Sequence, residues 1–246
     1  MSFFATVAAG HHLPHVDTGE GERFPATIVA ENRGVLAGWA RFRVFGDTAY
    51  VQHLAIAPTL RRQGIGRALM HEVARRARAA GCKTWCLNVS PANAPALRLY
   101  EQVGMSARYP SVALRFDWSL VSALPAEPAA ARLVEPREDA MLEARFAMLP
   151  TELAGARREP GQVLGVMRGV DTLGVACFDP DLPGAFPFRV ARPTLARPLL
   201  EACCRLARSD LDYMQVVVED DAPLAALLVG AGANVSVEIT HYAGQL

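Results

Sequence analysis

The residues best suited to chemistry lie in a basic turn that contains Gly64 and Gly66. An apolar strand leads into Pro58 before this turn, and an amphipathic segment follows directly after it. The first backbone N–H groups of a helix have no partner within the helix, and the helix dipole is positive there, so anionic oxygens bind at such a point. Glycine lets the backbone approach those oxygens closely. The turn is therefore predicted to hold phosphate groups through Arg61, Arg62, Gln63, Gly64, Ile65, Gly66 and Arg67.

A second segment with chemical potential lies downstream, at residues 93–105. It carries Asn93, Tyr100 and Gly104 in the pattern Asn-x-x-Ala-x-x-Leu-Tyr-x-x-x-Gly-Met. Preceded by an Arg-x-x-Gly-x-Gly turn, a helix and a strand, this pattern closely resembles the GNAT superfamily of acyl-CoA-dependent N-acetyltransferases. The resemblance covers residues 25–118 and leaves the acyl acceptor undefined.

The resemblance implies that acetyl-CoA is bound and that an acetyl group passes directly to an amine in a ternary complex. Tyr100 stands at the family position that faces the departing thiolate and would donate a proton to it. A core aromatic residue is the alternative role for Tyr100, and a helix N-cap is the alternative role for Asn93. The strand before the turn would pair with the pantetheine amides, and an N–H there would polarise the thioester. The further coenzyme-binding residues implied are Leu54, Ala55, Ile56, Asn88 and Asn93.

The acceptor amine must lose a proton before it attacks, because an amine with a pKa near ~10 is mostly ammonium at neutral pH. His53 lies on the strand before the turn and has a suitable ordinary pKa. Its alternative role is that of a packed or surface residue. Gln52 stands where many GNAT proteins carry a carboxylate and cannot act as a base. Glu31 is the second candidate.

Hydrophobic patterning predicts the elements that position these residues. Strands are expected at 26–31, 34–44, 49–56, 84–89 and 111–118, and helices at 67–80 and 93–102. In GNAT proteins the fourth and fifth strands splay apart and hold the acyl-pantetheine arm. The resemblance assigns that role to 49–56 and 84–89. The 24 residues before the first strand are short for the strand and two helices of the family, so either the start is truncated or another part of the chain builds that wall.

The second half of the chain repeats the first. Pro193 matches Pro58 at an interval of 135 residues, whereas Leu199 matches Leu69 at an interval of 130, so five residues are missing from the second turn. Leu228 takes the place of Tyr100. The sequence thus predicts an α/β (α+β) protein with two tandem GNAT-like domains, each a mixed, mostly antiparallel sheet flanked by helices. The domains are 1–120, which is catalytic, and 133–246, which is degenerate, with an Ala/Pro-rich linker at 121–132. Chance similarity between two α/β halves is the alternative.

Composition narrows the class of protein further. The 246 residues include 25 basic and 25 acidic side chains, so net charge gives no reason to expect nucleic acid or an anionic membrane as partner. No apolar run reaches the ~18–20 residues of a membrane span. Five cysteines without a framework spacing suggest reduced thiols in the cytoplasm. The cluster of His11, His12 and His15 lacks a further ligand nearby, so no metal is predicted. A homodimer is compatible with the sequence.

Three classes of function remain open at this point. The first is an N-acetyltransferase acting on an unidentified amine, which Tyr100 favours. The second is a non-catalytic acyl-CoA-binding sensor, and the third is an interaction module. A dinucleotide-binding fold is disfavoured, because no acidic residue stands where a ribose-binding site requires one.

Overall fold

The computed structural model describes residues 26–32, 35–157 and 161–246. The chain divides into two compact units. The first unit holds the described residues up to Arg108 together with His241–Leu246, and the second unit holds Tyr109–Thr240. The last six residues therefore belong to the first unit, although they follow the second in sequence. The boundaries expected from the sequence, 1–120 and 133–246, stay a prediction about the two repeats.

The first unit is built on one sheet. Its strands are β1 (Ala26–Asn32), β2 (Val35–Phe45), β3 (Thr48–Ile56), β4 (Thr84–Val89) and the end of β11 (Asn234–Gln245), in the order β1-β2-β3-β4-β11. The first three strands form an antiparallel meander, and β4 runs parallel to β3. Helix α1 (Ile65–Ala79) makes the crossover between β3 and β4, and helix α2 (Ala94–Gln102) follows β4.

Helices α1 and α2 pack on the same face of this sheet. The apolar residues of α1 recur at helical spacing and are buried in one cluster with residues of all five strands and with Tyr100 of α2. Arg67 of α1 donates a hydrogen bond of 2.7 Å to the side chain of Gln102 in α2. We call this face the helix face, and the opposite face of the same sheet the far face.

The second unit has the same kind of architecture. Its strands are the start of β11, most of β5 (Ser106–Asp117), β6 (Ala130–Leu133), β7 (Gln162–Arg168), β8 (Asp171–Asp179), β9 (Gly184–Val190) and β10 (Tyr213–Glu219). Their order is β11-β5-β10-β9-β8-β7-β6. Its helices are α3 (Asp139–Arg145), α4 (Glu152–Ala156), α5 (Ala196–Leu206) and α6 (Ala222–Gly230). Strands β9 and β10 run parallel to each other. The predicted fold class, α/β (α+β) with a mixed, mostly antiparallel sheet flanked by helices, is confirmed.

Matching backbone details support the internal repeat. A Cβ on Gly38 of β2 would lie 2.7 Å from the carbonyl oxygen of Ala55, and a Cβ on Gly174 of β8 would lie 2.9 Å from that of Arg189. Both positions therefore need glycine for the same close approach between second and third strands of a meander. The neighbouring backbone hydrogen bonds also match. Ala57 N–H donates to the carbonyl oxygen of Ala37 at 2.9 Å, and Ala191 N–H donates to that of Leu173 at 2.8 Å.

Some elements differ from their predicted bounds. Helix α1 begins at Ile65, two residues earlier than expected, because Gly64 rather than a later residue is its N-cap. Strand β5 begins at Ser106, five residues earlier than expected. The segment expected as a linker contains the end of a 3-10 helix at Trp118–Ala123 and most of β6. Ala/Pro-rich composition identified the segment as irregular, but Val121 and Leu124 within it are buried.

Candidate functional site

A gap opens between β3 and β4. The two strands pair over four residues, from Thr48 opposite Thr84 to Val51 opposite Leu87. Strand β3 then continues to Ile56 while remaining paired with β2. Gln52 is an extra residue in β3 at this point, because Arg41 pairs with His53 and Phe42 with Val51. Such a bulge bends a strand, and β3 leaves β4 just after it. These are the two strands to which the resemblance assigned the gap.

The backbone groups of β3 that face this gap follow from its pairing with β2. Ala57 N–H donates to Ala37, so Gly38 and Ile56 form the pair that shares no direct hydrogen bonds. By alternation, Leu54 and Ile56 direct their N–H and C=O groups away from β2 and toward the gap. Ala55 directs its own groups toward β2 instead. Of the three residues predicted to pair with pantetheine, two are placed for it.

The glycine turn, residues 61–67, ends at the start of α1. Gly64 is the N-cap with φ +81°, and no side chain caps the helix there. The first turn of α1 contains no acidic residue, so the N–H groups of Ile65, Gly66 and Arg67 begin the helix without an anionic side chain beside them. A Cβ on Gly66 would lie 3.1 Å from Leu99 of α2, so a larger residue would crowd that helix. This arrangement fits phosphate oxygens.

The arginines of the turn play different parts. Arg61 Nε donates to the carbonyl oxygen of Ile56 at 3.4 Å, and Arg67 reaches Gln102. Arg62 is exposed and has φ 67°, a left-handed conformation that is uncommon outside glycine. Two of the three guanidinium groups therefore brace the turn, and the third lies at its rim.

Tyr100 lies in α2 and is only 8% exposed. It belongs to the buried cluster that holds Val51 and Leu87, the last paired residues of β3 and β4. Its ring lies 6.4 Å from that of Tyr242, centroid to centroid. Burial raises the pKa of Tyr100 to about 12, so the hydroxyl stays protonated at neutral pH. Within the described residues the hydroxyl has no hydrogen-bond partner.

The two asparagines have structural partners. Asn93 Oδ1 accepts a hydrogen bond from Ala96 N–H at 3.3 Å and caps α2, which is its alternative role. The side chain of Asn88 contacts Tyr50 and His241, with Nδ2 to Tyr50 Oη at 3.3 Å and Oδ1 to His241 Nδ1 at 2.9 Å. Coenzyme contacts predicted for these residues would use the atoms that remain.

His53 is half-buried in β3. Its ring lies 5.4 Å from that of Trp39, and its strand partner is Arg41. Burial lowers the pKa of His53 and the positive charge of Arg41 lowers it further, so the imidazole is neutral at pH 7. Glu31 is exposed on β1. Of the two candidate bases, His53 is the one on a strand that borders the gap.

Two residues near the gap escaped the sequence analysis. Tyr242 and His241 lie on β11 beside Tyr100 and Asn88. Leu246 N–H donates to the carbonyl oxygen of Lys83 at 2.9 Å and holds the end of β11 against the start of β4. Nothing in the local pattern of the C-terminal strand indicates this pairing, which depends on residues far apart in sequence.

In the described part of the second unit, the residues that correspond to the site differ. Strands β9 and β10 pair at Gly184–Gln215 and Ala185–Val216. Beyond that point Arg189 donates to the backbone carbonyl of Glu219 at 2.8 Å and to its carboxylate at 2.6 Å, so an ion pair links the two strands. Helix α5 follows a 3-10 turn at Pro193–Leu195 with no glycine between them. Leu228, at the place of Tyr100, is fully buried.

In the ranges that the structure describes, no group of three His, Cys, Asp or Glu side chains could hold a metal ion. His11, His12 and His15 lie outside those ranges. Among the helices described, none is long and apolar enough to cross a membrane.

The chain is similar to known proteins over part of its length. The model of the Acetyltransferase (GNAT) family matches residues 6–105. The [ribosomal protein bS18]-alanine N-acetyltransferase of Escherichia coli K12 is 32% identical over 114 residues, which span 44% of this chain and 76% of that protein. The family match includes the part of the chain that holds the glycine turn and Tyr100.

Two solved structures share the fold over most of the chain. A GCN5-related N-acetyltransferase from Sphaerobacter thermophilus superposes with a TM-score of 0.60 at 16% identity, covering 86% of this chain and 78% of that one. A tandem GNAT protein from the clavulanic acid biosynthesis pathway gives a TM-score of 0.58 at 19% identity, covering 90% and 84%. At such identities the likeness concerns the fold alone.

Proposed function

The chain belongs to the GNAT family of acetyltransferases, and we propose that its first unit transfers an acetyl group from acetyl-CoA directly to an amine, with both substrates bound at once. The predicted enzyme class, an acyl-CoA-dependent N-acetyltransferase, agrees with the named relatives. The ternary complex, the acceptor and the individual roles of residues belong to the proposal. So do a cytoplasmic location and a homodimer.

One observation carries the proposal: the strand gap and the glycine turn adjoin. Strand β3 borders the gap through Leu54 and Ile56, and the turn follows directly after it. A molecule with an amide-containing arm and a diphosphate could therefore pair with β3 and place its phosphates on the N–H groups of α1. Acetyl-CoA has both features. The Arg189–Glu219 ion pair leaves the second unit without an equivalent slot.

The chemistry requires two proton movements. The amine nitrogen attacks the thioester carbonyl carbon, the C–S bond breaks, and the electron pair leaves with sulfur as a thiolate. One proton passes from the amine to a base, and Tyr100 donates one to the thiolate. The burial that raises the pKa of Tyr100 would raise that of a thiol beside it as well, so sulfur leaving in the same pocket is a stronger base than in water.

The base assignment to His53 makes a prediction about pH. Because the pKa of His53 is lowered, its ring is protonated only below its ordinary value of about 6.5. We therefore expect the acidic limb of kcat against pH to lie below that value. Replacing Arg41 by glutamine removes a positive charge beside the ring, which raises the pKa of His53 and moves the limb to higher pH. A steady-state pH profile of both proteins measures this, and a limb that stays in place rejects His53 as the base.

The experiment that tests the function measures free thiol released from acetyl-CoA over a panel of acceptors. The E. coli relative is named for an alanine of a ribosomal protein, so a peptide with N-terminal alanine is the first acceptor to try, followed by small primary amines. We expect thiol release that saturates with acetyl-CoA and depends on an acceptor. Saturable acetyl-CoA binding without release across the panel would instead support the sensor alternative.

A further inference from the structure

Three polar side chains form a row across the far face of the first unit. Tyr50 lies on β3, Asn88 on β4 and His241 on β11, which are neighbouring strands in that order. The residues on either side of Tyr50 and Asn88 are buried in the cluster on the helix face. Since successive side chains of a strand point to opposite faces, Tyr50 and Asn88 point to the far face. Tyr242 packs against Tyr100 on the helix face. Its neighbour His241 therefore points to the far face, like Tyr50 and Asn88.

Hydrogen bonds join the row. Asn88 Nδ2 donates to Tyr50 Oη at 3.3 Å, and Asn88 Oδ1 lies 2.9 Å from His241 Nδ1. A primary amide has an oxygen that only accepts and a nitrogen that only donates. His241 Nδ1 must therefore carry the hydrogen of the second bond. Both ends of the Asn88 amide are bound by side chains of the strands on either side, which fixes its plane.

The row crosses the point where β3 and β4 separate. Leu87 is the last residue of β4 that pairs with β3, and Asn88 follows it. Tyr50 precedes Val51, the last paired residue of β3. The helix face behind this point is filled by the buried core. A thioester held in the gap would thus be reached by an amine from the far face, next to this row.

We propose that His241 is a positioning residue for acetyl transfer, which holds Asn88 and Tyr50 in place where the gap begins. The proposal rests on the proposed function, because the row matters to catalysis only if the gap holds acetyl-CoA. His241 contributes a donated N–H and no proton transfer. Reaction rates depend steeply on the placement of reacting groups, so a support of this kind acts on kcat. The C-terminal residues are in this way part of the active site of the first unit.

Two replacements in the full-length chain separate the donor from the ring. In His241→Gln the side chain keeps an N–H that can reach Asn88, whereas His241→Phe keeps the ring volume and loses the donor. We expect His241→Phe to lower kcat about tenfold, the effect of one lost positioning hydrogen bond. His241→Gln should recover most of that loss. The dissociation constant of acetyl-CoA, measured by calorimetry, should change less than about threefold in either variant, because the glycine turn is untouched.

Gln245→Ala is the matched control, since Gln245 is exposed on the same strand. Equal losses of activity in the Gln and Phe variants would overturn the positioning role, because the imidazole itself would then be needed. Full activity in both would also overturn it. If the wild-type protein transfers acetyl groups and the His241 variants show either of these two results, this inference fails while the proposed function stands. A wild-type chain that takes up no acetyl-CoA refutes the proposed function and this inference together.

Discussion

Replacing Gly64 by glutamate is expected to abolish measurable binding of acetyl-CoA while the protein stays folded. Gly64 has φ +81° and an added Cβ would meet nothing within 4 Å. The substitution therefore destabilises the folded state only through backbone strain of about 1–2 kcal/mol. The new carboxylate would lie at the N-terminus of α1, where it would compete for the N–H groups and repel the diphosphate. We expect calorimetry to show an affinity at least about a hundredfold weaker.

Gly81→Glu is the matched control for this variant. Gly81 follows the other end of α1, has φ +87° and also leaves open space around an added Cβ. The two variants therefore carry the same new side chain and similar backbone strain. Because the helix dipole disfavours a carboxylate at the C-terminal end, Gly81→Glu should lose at least as much thermal stability as Gly64→Glu. Only Gly64→Glu should lose acetyl-CoA. Wild-type affinity in Gly64→Glu would show that the glycine turn does not hold the phosphates.

Much of the first unit could be predicted because its signals are local. Strand β4 has the predicted bounds, since an apolar run lies between a glycine-ended helix and a Ser-Pro turn. Helix α2 begins one residue after Asn93, whose side chain caps it. The glycine turn and Tyr100 are likewise local motifs at a fixed spacing. Such patterns place residues in elements, and the order of elements then places them around the gap.

The partner of β4 on its other side could not be predicted. Gly244 lies at a close approach in which an added Cβ would be 2.5 Å from the carbonyl oxygen of Gly104 and 3.1 Å from the Trp85 ring nitrogen. A glycine inside a strand indicates such an approach in general, but not which backbone approaches. The contacts of His241 and Tyr242 depend on this pairing, so their roles were hidden in the sequence.

The direction in which each backbone N–H and C=O group points could not be predicted from the sequence either. Leu54, Ala55 and Ile56 are equivalent members of one predicted strand, and only the observed register with β2 turns Ala55 away from the gap. The second unit shows the same limit. The five residues missing from its turn indicated that the turn was lost, but not which side chains join the strands. That Arg189 and Glu219 join across the strands could not be read from residues 30 apart in sequence.

Replacing Tyr100 by phenylalanine is expected to lower kcat by about 10²–10³-fold, the usual contribution of a general acid. Within the described residues the hydroxyl makes no hydrogen bond, and the ring is packed in the buried cluster, so phenylalanine fits with little change in stability. The affinity for acetyl-CoA should stay within about threefold of wild type, because the turn and β3 are unaltered. Single-turnover thiol release, together with calorimetry, separates these two quantities.

Tyr242→Phe is the matched control, because it removes a hydroxyl from the neighbouring buried ring. The Tyr242 hydroxyl donates to Glu101 at 3.4 Å, and the ring lies on the same side of the sheet as Tyr100. We expect kcat within about twofold of wild type, since a long hydrogen bond near the surface contributes little. Unchanged turnover in Tyr100→Phe would remove Tyr100 from the mechanism. Equal losses in both variants would mean that packing between the two rings, rather than proton donation by Tyr100, sets the rate.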